Sequence, residues 1–429
     1  MASSLVDKSQ LLTKGARILE RESSGLTRFC SQLVRFPTEN PPAIATEITA
    51  FIRDWLEDSG ISSRVYCRVK GKENMVSNLE RKAGPGLIFY GHTDVVPAGD
   101  VKRWSYPPYS GKITGGRVFG RGASDMKGGL AASLFAFKVM AQLDVKLRRN
   151  LQLTVIPDEE DYDPKKRLLD KLIEDGAIAG DGCIMGEPTG QDGMSVGDKG
   201  DLWLKVRATG TPAHGSSPVL GDNAFLRLSK ALAALAEFWN DEPPIPTDVR
   251  EVLPFSEELV TRMIIALGFP ERVEDAKMLL THTSVNIGRV NAGTMINMVP
   301  DKAEAEVALC LAPGLKATEA LERVKDLLKG CIGIEVENMM EFDSNFTSPK
   351  LPFVKFLGEA ARSVMGNEVK PFLFTGTSDA GAFRVKGIPA VCFGPGDIAR
   401  VHNYNEYVDV KDLTAFAKAY LRTAIEYCT

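Results

Sequence analysis

The sequence predicts an α/β fold with an inserted α+β module, and three observations carry that expectation. Short apolar runs alternate with helical stretches up to about Gly200, the pattern of a sheet with helices packed on its faces. After Gly200 the runs alternate apolar and polar residues, as strands with one wet face do. From Leu351 the α/β style returns. One domain is therefore expected from residues 1–200 and 343–429, with 201–342 inserted between its halves.

The elements follow in order. Residues 16–38 and 44–58 read as amphipathic helices, the second after the Pro41-Pro42 break. GLIFY (86–90), LQLTVI (151–156) and GCIM (182–185) read as buried strands, with a small-residue helix over 128–143. In the insert, DLWLKVRAT (201–209) is an alternating strand and 224–239 a long helix. Strands at 283–290 and 303–311, a helix at 317–329 and a strand at 332–340 complete a ferredoxin-like β-α-β-β-α-β order. Residues 240–281, proline-bearing, read as an elaboration. The last part gives a helix to about Met365, a GTSDAGAF loop, a strand at 389–393 and a closing helix from Val410.

Bulk properties narrow the function class. The 429 residues carry a net charge of −4 and no lysine or arginine tract, so no nucleic-acid surface is expected. The first 25 residues space their charges closely and hold no apolar h-region, so no secretory leader is expected. No apolar run reaches the ~20 residues of a membrane span. The 7 cysteines are scattered without a C-x-x-C pair, which suits free thiols in a cytoplasmic protein.

Only 4 histidines occur, which makes each worth tracing. His92 follows GLIFY, at the strand edge where ligands collect in open α/β sheets. Asp94, two residues on, projects the same way and is placed to orient the imidazole. Asp125 lies in the glycine-dense GRGASDMKGG; taken alone, it or Ser124 reads as a helix N-cap. Glu159 and Glu160 follow LQLTVI and project in opposite directions, so one can ligate a metal while the other acts as base. Glu187 stands in GEPTG and His402 in a late loop. Such nitrogen and oxygen donors without sulfur suit a catalytic zinc, cobalt or manganese pair. Two ions fit this set if one carboxylate bridges them at ~3.5–4 Å.

GHTDVVP, GRGASDMKGG, DEE, GEPT, GTPAHGS, NMVPD, GTSDA and the late histidine loop stand in an order that resembles one family. Its members are co-catalytic zinc hydrolases: acetylornithine deacetylase, succinyl-diaminopimelate desuccinylase, aminoacylase and carboxypeptidase-G-type peptidases. The resemblance runs from about Leu11 to the C-terminus. It implies a mixed-sheet zinc-peptidase-like catalytic domain with a lid and dimerisation module. It also implies one Zn2+ (or Co2+ or Mn2+) on His92 and Glu187, and a second on Glu160 and His402. Asp125 would bridge them, ahead of a cis bond to Met126. Glu159 matches the general base, Asp94 the orienting partner, and His214 a histidine serving the partner subunit of a homodimer. Asn297, Gly376 and Thr377 match substrate-lining positions.

The chain departs from the family at two places. Cys310 stands where an arginine commonly grips a substrate carboxylate, a pairing a thiol cannot make; Arg384 is the candidate replacement. DYDPKKR (161–167) also alters the loop after DEE. The expected reaction is hydrolysis of an amide in an N-acyl amino acid or related small amide. A dipeptidase or carboxypeptidase is the alternative, and a binding protein that kept the fold but lost hydrolysis is a third.

Overall fold

The computed structural model describes residues 7–80, 83–160, 167–240 and 243–429; the altered loop at 161–166 lies outside them. The chain forms two compact units. The first comprises residues 1–196, 347–372 and 382–429, and the second 197–346 with 373–381. From sequence the boundaries were expected at 200/201 and 342/343.

The chain opens with helices α1 (Lys8–Arg21), α2 (Ser23–Val34) and α3 (Thr46–Glu57), then strands β1 (Ser63–Cys67), β2 (Glu73–Asn78) and β3 (Gly86–His92). Short strands β4 (Lys112–Thr114) and β5 (Arg117–Phe119) lead to α4 (Gly128–Gln142) and β6 (Leu151–Ile156). Helix α5 (Leu169–Glu174) and strands β7 (Gly180–Pro188) and β8 (Gly193–Asp198) follow. In the middle of the chain lie β9 (Gly200–Thr209), α6 (Ala224–Ala236), α7 (Thr247–Ala266), α8 (Ala276–Thr281), β10 (Ser284–Ala292), β11 (Lys302–Leu311), α9 (Ala317–Leu328), β12 (Ile334–Phe342) and β13 (Asn345–Phe346). The C-terminal part holds α10 (Pro352–Met365), β14 (Lys370–Phe374), α11 (Ala380–Val385), β15 (Ala390–Gly394), β16 (Tyr407–Asp409) and α12 (Val410–Cys428).

The first unit is built on a mixed sheet in the order β1-β2-β6-β3-β7-β15-β8. Its centre is parallel, β3 with β6 and β7, and β7 with β15, whereas β1-β2, β2-β6 and β15-β8 are antiparallel. Strands β3 and β6 are buried at every residue, which is why they read as unbroken apolar runs. Two expected elements have different limits. The helix expected over 16–38 is two helices that meet at Glu22, where Ser23-Ser24-Gly25 offers weak helix formers. The strand read from GCIM extends to Pro188, so Glu187 sits within β7 rather than beyond it.

Small residues let α4 lie close against the sheet. A Cβ on Gly129 would meet the Gly186 carbonyl oxygen at 1.8 Å, and one on Gly394 the same oxygen at 2.1 Å. Gly186 is thus clamped between α4 and β15, a backbone approach that only glycines allow. The clamp brings the N-terminal end of α4, just after Asp125, against the strand that carries Glu187.

The second unit holds an antiparallel sheet in the order β10-β11-β9-β12. Strands β9 and β11 alternate buried and open residues, and their apolar face packs with α6 and α9 into one core. Strand β10 lies at the edge and is exposed along most of its length.

Candidate metal centre

Strand β3 ends in His92, whose side chain is fully buried. Its Nδ1 donates to the Asp94 backbone carbonyl at 3.1 Å and lies 3.4 Å from the Asp94 carboxylate. Only acceptors face Nδ1, so that nitrogen carries a proton, and Nε2 is the ring atom turned to the carboxylate cluster. The Asp94 carboxylate does further work. It accepts from Asn40 Nδ2 at 2.8 Å, from the Glu160 N–H at 2.9 Å and from the Glu159 N–H at 3.2 Å. One buried carboxylate therefore joins the His92 strand end to the Glu159–Glu160 turn. Burial opposes its charge, yet the contacts from His92 and Asn40 hold its carboxyl below the usual range.

Asp125 stands at the centre. One oxygen, Oδ1, lies 3.2 Å from His92 Nε2, and the other, Oδ2, lies 3.3 Å from His402 Nε2. Each histidine has a second carboxylate. Glu187 Oε1 is 3.5 Å from His92 Nε2, and Glu160 Oε2 is 3.1 Å from His402 Nε2. Ligand atoms of His92, Asp125 and Glu160 all fall within 4.8 Å of one another. The Asp125–Met126 peptide bond is cis.

The chemistry of the donor set fits a metal. Glu160 Oε1 and Glu187 Oε1 are buried with no hydrogen-bond partner, a costly state for a carboxylate oxygen. Among the described residues, only the two histidine Nε2 atoms lie within ion-pair distance of the three carboxylates. Burial first, and then the neighbouring Asp125 charge, push the Glu187 carboxyl up to about 8 and Glu160 up to about 7. Burial opposes a charge on His402, but Asp125 and Glu160 push it up to about 10. Crowded anions that hold protons this tightly lack cations, and divalent ions fit that lack.

The remaining expected site residues have local partners. Glu159 lies beside Glu160 in the turn that Asp94 holds. In the second unit, His214 Nδ1 accepts from the Ser216 N–H at 3.2 Å and lies 2.8 Å from Ser216 Oγ. The Asn297 carbonyl accepts from the Gly215 N–H at 2.7 Å, next to His214. Thr377 Oγ1, beside Gly376, donates to Asp201 Oδ2 at 3.1 Å. Cys310 lies 3.2 Å from the Thr375 carbonyl, and burial pushes its thiol up to about 11. Arg384, in the first unit, donates to the Ala390 and Ser195 carbonyls at 3.0 and 3.4 Å.

Sequence reasoning missed Asn40, Arg121 and Glu406. Arg121 and Glu406 form a buried ion pair at 2.8 Å beside the centre. Arg121 sits inside GRGASDMKGG, and Glu406 in the late histidine loop, VHNYNEY. The one available signal was a glutamate four residues beyond His402 in a loop otherwise short of apolar anchors.

Residues 88–426 match the profile of peptidase family M20/M25/M40. The chain is 28% identical over 410 residues to a probable succinyl-diaminopimelate desuccinylase of Staphylococcus aureus, covering 92% of this chain and 96% of that one. It is 30% identical over 362 residues to the succinyl-diaminopimelate desuccinylase of Rhodospirillum centenum, covering 82% and 84%. An M20 family metallo-carboxypeptidase from Sulfolobus solfataricus is similar in structure, with a TM-score of 0.78 at 26% identity, covering 94% and 98%.

Proposed function

The chain belongs to peptidase family M20/M25/M40, and on that premise we propose that it is a dinuclear zinc amidohydrolase. Its substrate in this reading is an N-acyl amino acid or a related small amide. The observation that carries the proposal is the split of Asp125, with one oxygen toward His92 and the other toward His402. His92 and Glu187 would hold one ion and Glu160 and His402 the other, with Asp125 between them. Cobalt or manganese suit the same donors. Divalent ions held there supply Lewis-acid polarisation of the scissile carbonyl and make water more acidic.

The chain's own residues do the rest. Glu159 takes a proton from the attacking water and returns it to the leaving amine nitrogen. Asp94 holds His92 in the tautomer that leaves Nε2 free to ligate. His214 accepts at Nδ1 from the Ser216 N–H, which leaves Nε2–H as a donor. That donor suits the oxygen of the carbonyl under attack. The family resemblance supports a homodimer in which His214 serves the partner's site. Asn297, Gly376, Thr377 and Arg384 are the proposed substrate contacts, and the 7 free thiols suit a cytoplasmic setting. Among the described residues, no helix is long and apolar enough to cross a membrane.

The desuccinylase relatives favour an acyl amino acid. The similarity to a metallo-carboxypeptidase favours a peptidase as the second reading. Metal analysis followed by a panel of N-acyl amino acids and dipeptides tests both. Two equivalents of zinc with turnover of acyl amino acids is the expected result. Turnover of dipeptides alone replaces it with the second reading, and a chain that binds no zinc or cobalt overturns both.

A further inference from the structure

We infer that the buried Arg121–Glu406 pair is a positioning unit: it locks the Asp125 loop to the His402 loop and sets the affinity of the Glu160–His402 half. The inference rests on the two-metal reading above. Both side chains are almost fully buried, Arg121 at 3% and Glu406 at 1% exposure. Glu406 serves one loop. Its Oε1 accepts from the backbone N–H of Ser124 at 2.8 Å and of Asp125 at 3.0 Å. Its Oε2 accepts from the Gly122 N–H at 3.0 Å and from Arg121 Nη1 at 2.8 Å. Arg121 serves the other loop. Nη1 donates to the Asn403 carbonyl at 3.1 Å, and Nη2 lies 3.4 Å from the carbonyls of His402 and Pro97.

The two halves of the centre differ in what else holds them. His92 and Glu187 both lie in strands of the sheet. His402 lies in no strand or helix, and its φ of 62 puts a residue with a side chain in the left-handed region. Such a conformation persists only when its surroundings impose it. Asn405, at φ 59, shares the condition. A buried ion pair adds little net stability of itself. The bonds of this one end on the two loops that present Asp125 and His402, so its consequence is alignment.

The test uses the full-length chain stripped of metal and titrated with cobalt chloride, followed by calorimetry and by the visible absorption of bound Co2+. Glu406→Gln keeps the volume but loses the charge, and Arg121→Lys keeps the charge but loses the planar fork. Each variant is expected to bind the first cobalt within about twofold of wild type and the second about 10–100-fold more weakly, the usual cost of losing an outer partner of a metal ligand. A change in Co2+ absorption confined to the second equivalent would accompany it, an effect a merely structural pair would not produce. Two steps unchanged, or weakened equally, overturn the inference, as does failure of both variants to fold. If wild type binds no cobalt, the two-metal reading itself fails. If wild type binds two and the variants match it, only the positioning role is lost.

Discussion

The two histidines of the centre reach it in opposite ways. His92 is the buried last residue of a central strand, and its direction follows from the sheet. His402 rides a loop, with its side chain 52% exposed and its backbone in the left-handed region. The first imidazole is oriented by its place in the sheet, and the second by hydrogen bonds from other loops. This difference separates a half-site that the core preorganises from one that depends on polar ties, which open more easily to solvent.

The largest expected effect tests whether the chemistry is separate from both halves. Glu159→Ala should lower kcat by about 10²–10⁴-fold, the usual worth of a general base. Both metals should stay bound, as measured by metal analysis of the purified variant. Turnover near wild type with metal bound would remove Glu159 from its role.

Metal removal comes next. A chain held at 100 times its dissociation constant for zinc should be about 2.7 kcal/mol more stable than the stripped chain. Thermal unfolding with and without chelator reads this difference, and equal midpoints would argue that the centre binds nothing.

The third prediction sets the two histidines against each other in metal-free protein. His92→Ala takes one of its partners from the buried Asp94 carboxylate and should cost about 1–3 kcal/mol. His402→Ala, at a half-exposed loop, should cost less than His92→Ala. Urea denaturation measures both. Similar losses would break the contrast between a packed ligand and a tied one.

The smallest effect is a slope with pH. Burial and the Asp125 charge raise Glu187 to about 8 and Glu160 to about 7, and His402 is also raised, to about 10. Groups raised on folding contribute stability at low pH that is lost as pH climbs through their folded values. The metal-free chain should therefore lose stability as pH rises through about 7, about 8 and about 10, the folded values of these groups. The metal-loaded chain should not, because ions replace those protons. Chemical denaturation across that range, with and without cobalt, checks the sign; a metal-free chain that gains stability as pH rises contradicts it.

Much of this is legible in the sequence. The unbroken run GLIFY marked a buried parallel strand and placed His92 at its end, because burial on both faces leaves no room for alternation. Glu187 was legible as a candidate, but the length of its strand was not. GEP lacks the apolar character of GCIM, and β7 continues there through its pairing with β15. The break at Glu22 was hidden for a related reason: two amphipathic helices in succession look like one periodic stretch. Asn40 escaped notice because its partner, Asp94, lies 54 residues away.

The sequence by itself determined the α/β character, the inventory of nitrogen and oxygen donors and their order, since these follow from residue type and local period. Only the tertiary structure decided which oxygen of Asp125 faces which histidine. It alone revealed that Asp94 ties the His92 strand end to the Glu159–Glu160 turn and that Arg121 and Glu406 join the Asp125 and His402 loops. Those ties run between residues up to 285 positions apart. Local periodicity carries no information at such separations, and close approach of backbones, as at Gly129 and Gly186, is what sets them.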